Sequence, residues 1–120
     1  MSECVVFYDP HCGKSRLILE LLETHSIEPR IVNLRHSRLD RETLEDLLRR
    51  LRVRPRELLR RSAPLVRRLA HDLEDDESVV TAMVENPQLI DRPIVVWGDR
   101  AIVCRPPAKV LELIDEAHAP

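Results

Sequence analysis

The apolar run Cys4-Val5-Val6-Phe7-Tyr8 is short and unbroken, and it predicts a buried strand. Polar residues follow until Leu17, Ile18, Leu21 and Leu22 recur at helical spacing. That spacing predicts a helix from about Lys14 to Thr24. Pro29 to Leu34, with Ile31-Val32 inside it, predicts a second strand. Strand, helix and strand in about 35 residues make a right-handed crossover with parallel strands.

The middle of the chain keeps a helical period. Asp40 is suited to cap a helix carrying Leu44, Leu47, Leu48 and Leu51. Pro55 opens a short helix through Leu58 and Leu59, and Pro64 another with Leu65, Val66 and Leu69. Asp75, Asp76, Glu77 and Ser78 put negative charge where a helix dipole favours it. Val79, Val80, Met83 and Val84 form the apolar face behind them, and Asn86-Pro87 ends the helix. The period then changes. Pro93 to Trp97, Gly98-Asp99 and Arg100 to Cys104 read as a β-hairpin with a type II′ turn. Pro106-Pro107 launches a last helix with Val110, Leu111, Ile114 and Ala117 on its buried side. The order is β-α-β, a helical middle, and β-β-α. It predicts one α/β domain over residues 1–120, with a helical insertion at about 38–87.

Composition narrows the function classes. With 120 residues and 43% apolar content, the chain can bury a real core. That core is aliphatic, because Phe7, Tyr8 and Trp97 are the only aromatics. A net charge of -2 gives no global pull toward nucleic acid or an anionic membrane. No apolar run is long enough to span a bilayer and no signal-peptide pattern opens the sequence, so the expected location is the cytoplasm. Nine arginines between Arg49 and Arg68, beside five acids between Asp72 and Glu77, read as solvated helix faces. The five histidines lack zinc spacing, so no metal is expected.

The candidate chemistry sits at Tyr8-Asp9-Pro10-His11-Cys12-Gly13-Lys14-Ser15-Arg16. A cysteine at a helix start meets free N–H groups and the positive end of the dipole, both of which favour the thiolate nucleophile. The same N–H groups suit an anion. Gly13 lets a ligand come close, and Lys14 and Arg16 add positive potential. Cys4, Cys12 and Cys104 form no C-x-x-C pair, since Ser15 holds the second place. Cys4 and Cys104 read as inert strand thiols. Arg60 follows Leu58-Leu59, Arg92 precedes Pro93, and Arg105 precedes Pro106. Each either binds an oxyanion with its planar fork or merely closes a strand or faces solvent.

These residues resemble the arsenate reductase (ArsC) family of the glutaredoxin-dependent, thioredoxin-fold type. The likeness lies in Pro10-x-Cys12-Gly13-x-Ser15-Arg16, Leu58-Leu59-Arg60-Arg61, Asn86-Pro87-x-Leu89-Ile90-x-Arg92-Pro93-Ile94-Val95-Val96 and Cys104-Arg105-Pro106. Lys14 and Pro106-Pro107 are similar to its YfgD-like branch. The resemblance implies a thioredoxin-like fold with a mixed four-stranded sheet and a cis bond at Pro93. It implies that Cys12 attacks arsenate held by Arg60, Arg92 and Arg105, with Gly13, Ser15, Arg16, His11 and Pro93 in support. It implies no bound cofactor, with glutathione as co-substrate and glutaredoxin as partner, while charge and hydropathy lead to the expectation of no nucleic-acid or membrane partner. Family members carry His-Asn where this chain has Tyr8-Asp9. His11 either supplies the missing positive charge or is a solvent-facing loop residue. Two other functions compete. One is a Spx-like regulator that binds RNA polymerase, and the other is a redox protein acting on another substrate. Nucleic-acid binding through the arginine-rich stretch is a weaker third.

Overall fold

The computed structural model describes residues 3–11, 13–69 and 73–117. It divides into two compact units, Met1–Asn33 with Arg92–Pro120, and Leu34–Asp91. The insertion expected at about 38–87 falls inside the second.

The first unit is built on a four-stranded sheet in the order β2-β1-β3-β4. β1 spans Cys4–Tyr8, β2 Arg30–Asn33, β3 Ile94–Trp97 and β4 Arg100–Val103. β1 runs parallel to β2 and antiparallel to β3, and β3 is antiparallel to β4, so the sheet is mixed. Helix α1 (Gly13–Thr24) makes the crossover, and α5 (Val110–Ala117) packs on β3 and β4. Alternation along β1 turns Cys4 and Val6 to one face, where they join Ile18 and Leu22 of α1 and Val110, Leu113 and Ile114 of α5. Gly98 has a φ of 64° while Asp99 stays outside the positive region, which fits the type II′ turn. The Arg92–Pro93 bond is cis, as the resemblance implied, and Arg105–Pro106 is cis as well.

Two residues depart from the sequence pattern. Leu17 is 50% exposed, because the side of α1 facing the sheet is centred on Ser15, Ile18 and Leu22. Leu113, absent from the expected stripe, is buried one turn from Val110, whereas Leu111 is half-buried. The side chain of Ala117 lies outside the described residues.

The second unit is helical. α2 spans Arg41–Leu51, α3 Pro64–Arg68 and α4 Asp76–Glu85. Asp40 caps α2 by accepting the Thr43 N–H at 2.7 Å, and Asp75 caps α4 through the Ser78 N–H at 2.7 Å. α2 ends at Arg52, whose φ of 58° is left-handed and whose N–H meets the Arg49 and Leu48 carbonyls. α2 packs on α4, which also holds the 3-10 turns Pro55–Leu58 and Pro87–Leu89. Leu59, expected at the end of a helix, instead pairs as a single antiparallel bridge with Ile90. Part of the arginine-rich stretch is tied down locally. Arg49 and Arg50 pair with Asp46, and Arg56 donates to the carbonyls of Leu73 and Glu74.

Candidate active site

The site is assembled around the turn between β1 and α1. Cys12 lies outside the described residues, so its neighbours define what surrounds it in the chain. Asp9 follows the last residue of β1 and is buried, although its carboxylate is ionisable. Its Oδ1 accepts the His11 backbone N–H at 2.9 Å, closing the turn. Its own N–H donates to Ser15 Oγ at 3.4 Å. Ser15 is buried, so the hydroxyl that replaces a second cysteine serves as an anchor for the turn. His11, Gly13, Lys14 and Arg16 are exposed. A Cβ at Gly13 would meet nothing within 4 Å. The fold itself therefore does not demand glycine there, and the space beside the start of α1 is open.

Arg92 is the one buried arginine among the described residues. It stands just before β3, which lies next to β1 in the sheet. Its Nη2 donates to Asp9 Oδ2 at 2.9 Å, with both side chains 5% exposed. A buried charge survives only when paired and hydrogen-bonded, and this pair answers that requirement across 83 residues of chain. Arg105 follows β4, and its Nε donates to the Arg92 carbonyl at 2.7 Å. Pro93 accepts the Cys104 N–H at 2.9 Å, which fixes the two strand ends to each other. Arg92 and Arg105 are thus brought together at one end of the sheet. Asp9 is the member that sequence reasoning missed. The signal available was an acidic residue directly after a buried strand.

Arg60 belongs to the second unit. Its backbone is pinned there, because its N–H donates to Leu89 O at 2.7 Å and the Asp91 N–H to Leu58 O at 2.8 Å. Its Nε is buried and has no hydrogen-bond partner among the described residues. A buried donor left unmatched is costly, and functional sites are where such groups occur.

The other two cysteines carry no comparable chemistry. Burial pushes the Cys4 thiol up to about 11 and the Cys104 thiol up to about 12. Both are free thiols, protonated at neutral pH and poor nucleophiles. No group of three or more residues able to hold a metal ion occurs among the described residues. No helix among them is long and apolar enough to cross a membrane.

The ArsC family matches residues 7–113. The chain belongs to the ArsC family. Among its relatives is the uncharacterized protein YfgD of Escherichia coli (strain K12), 39% identical over 112 residues, which covers 91% of this chain and 94% of that protein. An arsenate reductase of Escherichia coli is 33% identical over 120 residues, 98% of this chain and 85% of that protein. The solved structure of an arsenate reductase from Vibrio cholerae superimposes with a TM-score of 0.87 at 35% identity, covering 92% of this chain and 97% of that one. The thioredoxin-like reading of the mixed sheet therefore holds for this ArsC chain, as does the family expected from its motifs.

Proposed function

We propose that this ArsC chain is a thiol-dependent arsenate reductase coupled to glutathione and glutaredoxin. Cys12, the residue before α1 in the chain, is the nucleophile. Its thiolate bonds to arsenic(V) as one As–O bond breaks, and the oxygen leaves as hydroxide, which takes a proton from solvent to become water. Arg92 and Arg105 balance the anion's charge, and Arg60 takes the same role with its unmatched Nε. Glutathione sulfur then bonds to the Cys12 sulfur. The electron pair of the breaking S–As bond passes to arsenic, which leaves as arsenite. A glutaredoxin thiol takes the glutathionyl group from Cys12 and frees the thiolate. Gly13, Ser15, Arg16, His11 and Pro93 support the site, and no bound cofactor is required. A reducing compartment, the cytoplasm, suits this cycle and the free thiols at Cys4 and Cys104.

The observation that carries the reading is the bond from Arg105 Nε to the Arg92 carbonyl. It holds the Arg105 guanidinium against the backbone of Arg92, the residue whose own guanidinium pairs with Asp9. A tetrahedral oxyanion is the ligand that arginine's planar fork suits at such a strand end. The likeness to arsenate reductases along nearly the whole chain selects arsenate among such anions. The test is arsenite release from arsenate with glutathione and glutaredoxin supplied together and singly. Release only in the complete mixture supports the proposal, and no release in it contradicts it. Arg60→Ala is expected to raise KM for arsenate by about tenfold or more, the scale of one lost charge-assisted hydrogen bond.

A further inference from the structure

Leu17 lies one turn into α1, and the surface beside it is hollow. Its side chain is large, apolar and 50% exposed. A single exposed apolar side chain is ordinary, but this one borders a groove of about 430 Å³. Leu17, Glu20 and Leu21 of α1 form one wall, and Pro106, Pro107 and Ala108 the other. The 3-10 turn Pro107–Lys109 packs on α1, and both walls belong to the first unit. Glu20 is the one charged residue lining the groove among the described residues, and most of the remaining wall is apolar. Helical spacing ties this groove to the turn that carries the nucleophile. Gly13, Leu17 and Leu21 stand at i, i+4 and i+8, on one side of the helix. Leu17 lies about 6 Å along the axis from Gly13, the residue that follows Cys12 in the chain. The space at Gly13 is open, since a Cβ there would meet nothing within 4 Å.

We propose that this groove is the docking site of glutaredoxin, the thiol protein that clears Cys12, and that it receives an apolar side chain bordering the partner's reactive cysteine. The inference rests on the reading of Cys12 as a nucleophile that is glutathionylated and then freed by glutaredoxin. Even a transient protein contact covers on the order of 500 Å² a side, a patch about 20 Å across. A partner whose sulfur reaches residue 12 from the open side of Gly13 therefore covers Leu17 as well. Charge selects this occupant over two others. Glutathione carries two carboxylates and one ammonium, so Glu20 repels it and the apolar walls leave its polar ends unmatched. A second copy of the chain, docked about a two-fold axis, brings two Glu20 carboxylates into one contact. An apolar side chain of a different protein avoids both, and burying Leu17 against it favours the complex.

The step to test is the exchange in which a glutaredoxin thiolate bonds to the glutathione sulfur and Cys12 leaves as thiolate. The full chain is glutathionylated at Cys12 with oxidised glutathione. Release of the glutathionyl group is then followed at rising glutaredoxin concentration and, separately, with dithiothreitol. Leu17→Gln is expected to lower the second-order rate constant with glutaredoxin by about tenfold. Leu17→Met keeps that constant, and the dithiothreitol rate is the same in all three proteins. Ala108→Gln, on the opposite wall, acts as Leu17→Gln does. Equal glutaredoxin rates in the unaltered chain and both glutamine variants overturn the proposal and leave the reductase reading intact, as does an equal loss with dithiothreitol. A concentration-dependent dimer that Leu17→Gln dissolves gives the groove to a second copy and overturns it too. No release by glutaredoxin from the unaltered chain overturns the coupling in the reductase reading, and this proposal with it.

Discussion

Arg92 and Asp9 depend on each other in the folded chain. Each is 5% exposed, so removing one takes a charged partner from the other in a nearly dry environment. Asp9→Ala is expected to lower unfolding free energy by about 3–5 kcal/mol, measured by urea denaturation. The double variant Asp9→Leu with Arg92→Met recovers much of that loss, because neither charge then remains to be solvated. A single-variant loss under about 1 kcal/mol contradicts a paired, buried geometry. Thiols make a second residue-scale prediction. The high values of Cys4 and Cys104 come chiefly from burial, so the unfolded chain ionises first, near 9.0. Their contribution to stability is whole below that pH and is lost as pH rises toward about 11 and 12. At pH 8 an aromatic disulfide reagent should therefore label Cys12 quickly and the other two only on unfolding. Rapid labelling in native Cys12→Ser counts against this assignment. Cys12, Arg60, Arg92 and Arg105 could be put forward from the sequence because motifs mark them. Asp9 could not, because its partner lies 83 positions away and no local pattern announces a pairing at that distance.

Elements were the most legible layer, and their ends show why. Asp40 and Asp75 sit where a carboxylate meets unmatched N–H groups, and both cap their helices. Hydrogen bonds from Thr43 and Ser78 hold these carboxyls below the usual 3.8. Stability from the caps is therefore present above 3.8 and is lost as pH falls through the lower folded values. Replacing both residues with alanine should lower the melting temperature at pH 7 and flatten its decline between pH 4 and pH 2. A decline as steep as that of the unaltered chain contradicts this source. Where the sequence misplaced a residue, the helix period was the cause. Leu17 and Leu21 share a spacing compatible with the stripe that Ile18 and Leu22 make, and only the direction of the sheet decides between them. Leu111 and Leu113 are likewise both within a turn of Val110 and Ile114, and the stripe read from the sequence took Leu111 where burial falls on Leu113. Leu59 was read as helical because the bridge to Ile90 that captures it is not a local feature.

At the scale of the whole molecule, the sequence indicated the two halves of the sheet separately. The crossover from β1 to β2 and the β3–β4 hairpin are short-range events. Their union through antiparallel β1 and β3 joins residues some ninety positions apart, Phe7 with Ile94 and Cys4 with Trp97. Only the resemblance implied a single mixed sheet. This union places Arg92, just before β3, near the residue that follows β1, and so produces the Asp9 pair. The account as a whole turns on the residue at position 12 being the group that takes arsenic. The most direct measurement is arsenite formed from arsenate, with glutathione and glutaredoxin, by the unaltered chain and by Cys12→Ser. The account predicts steady turnover in the first and a rate at least about a thousandfold lower in the second, the scale on which enzymes lose a nucleophile. Equal arsenite formation by the two proteins would contradict it.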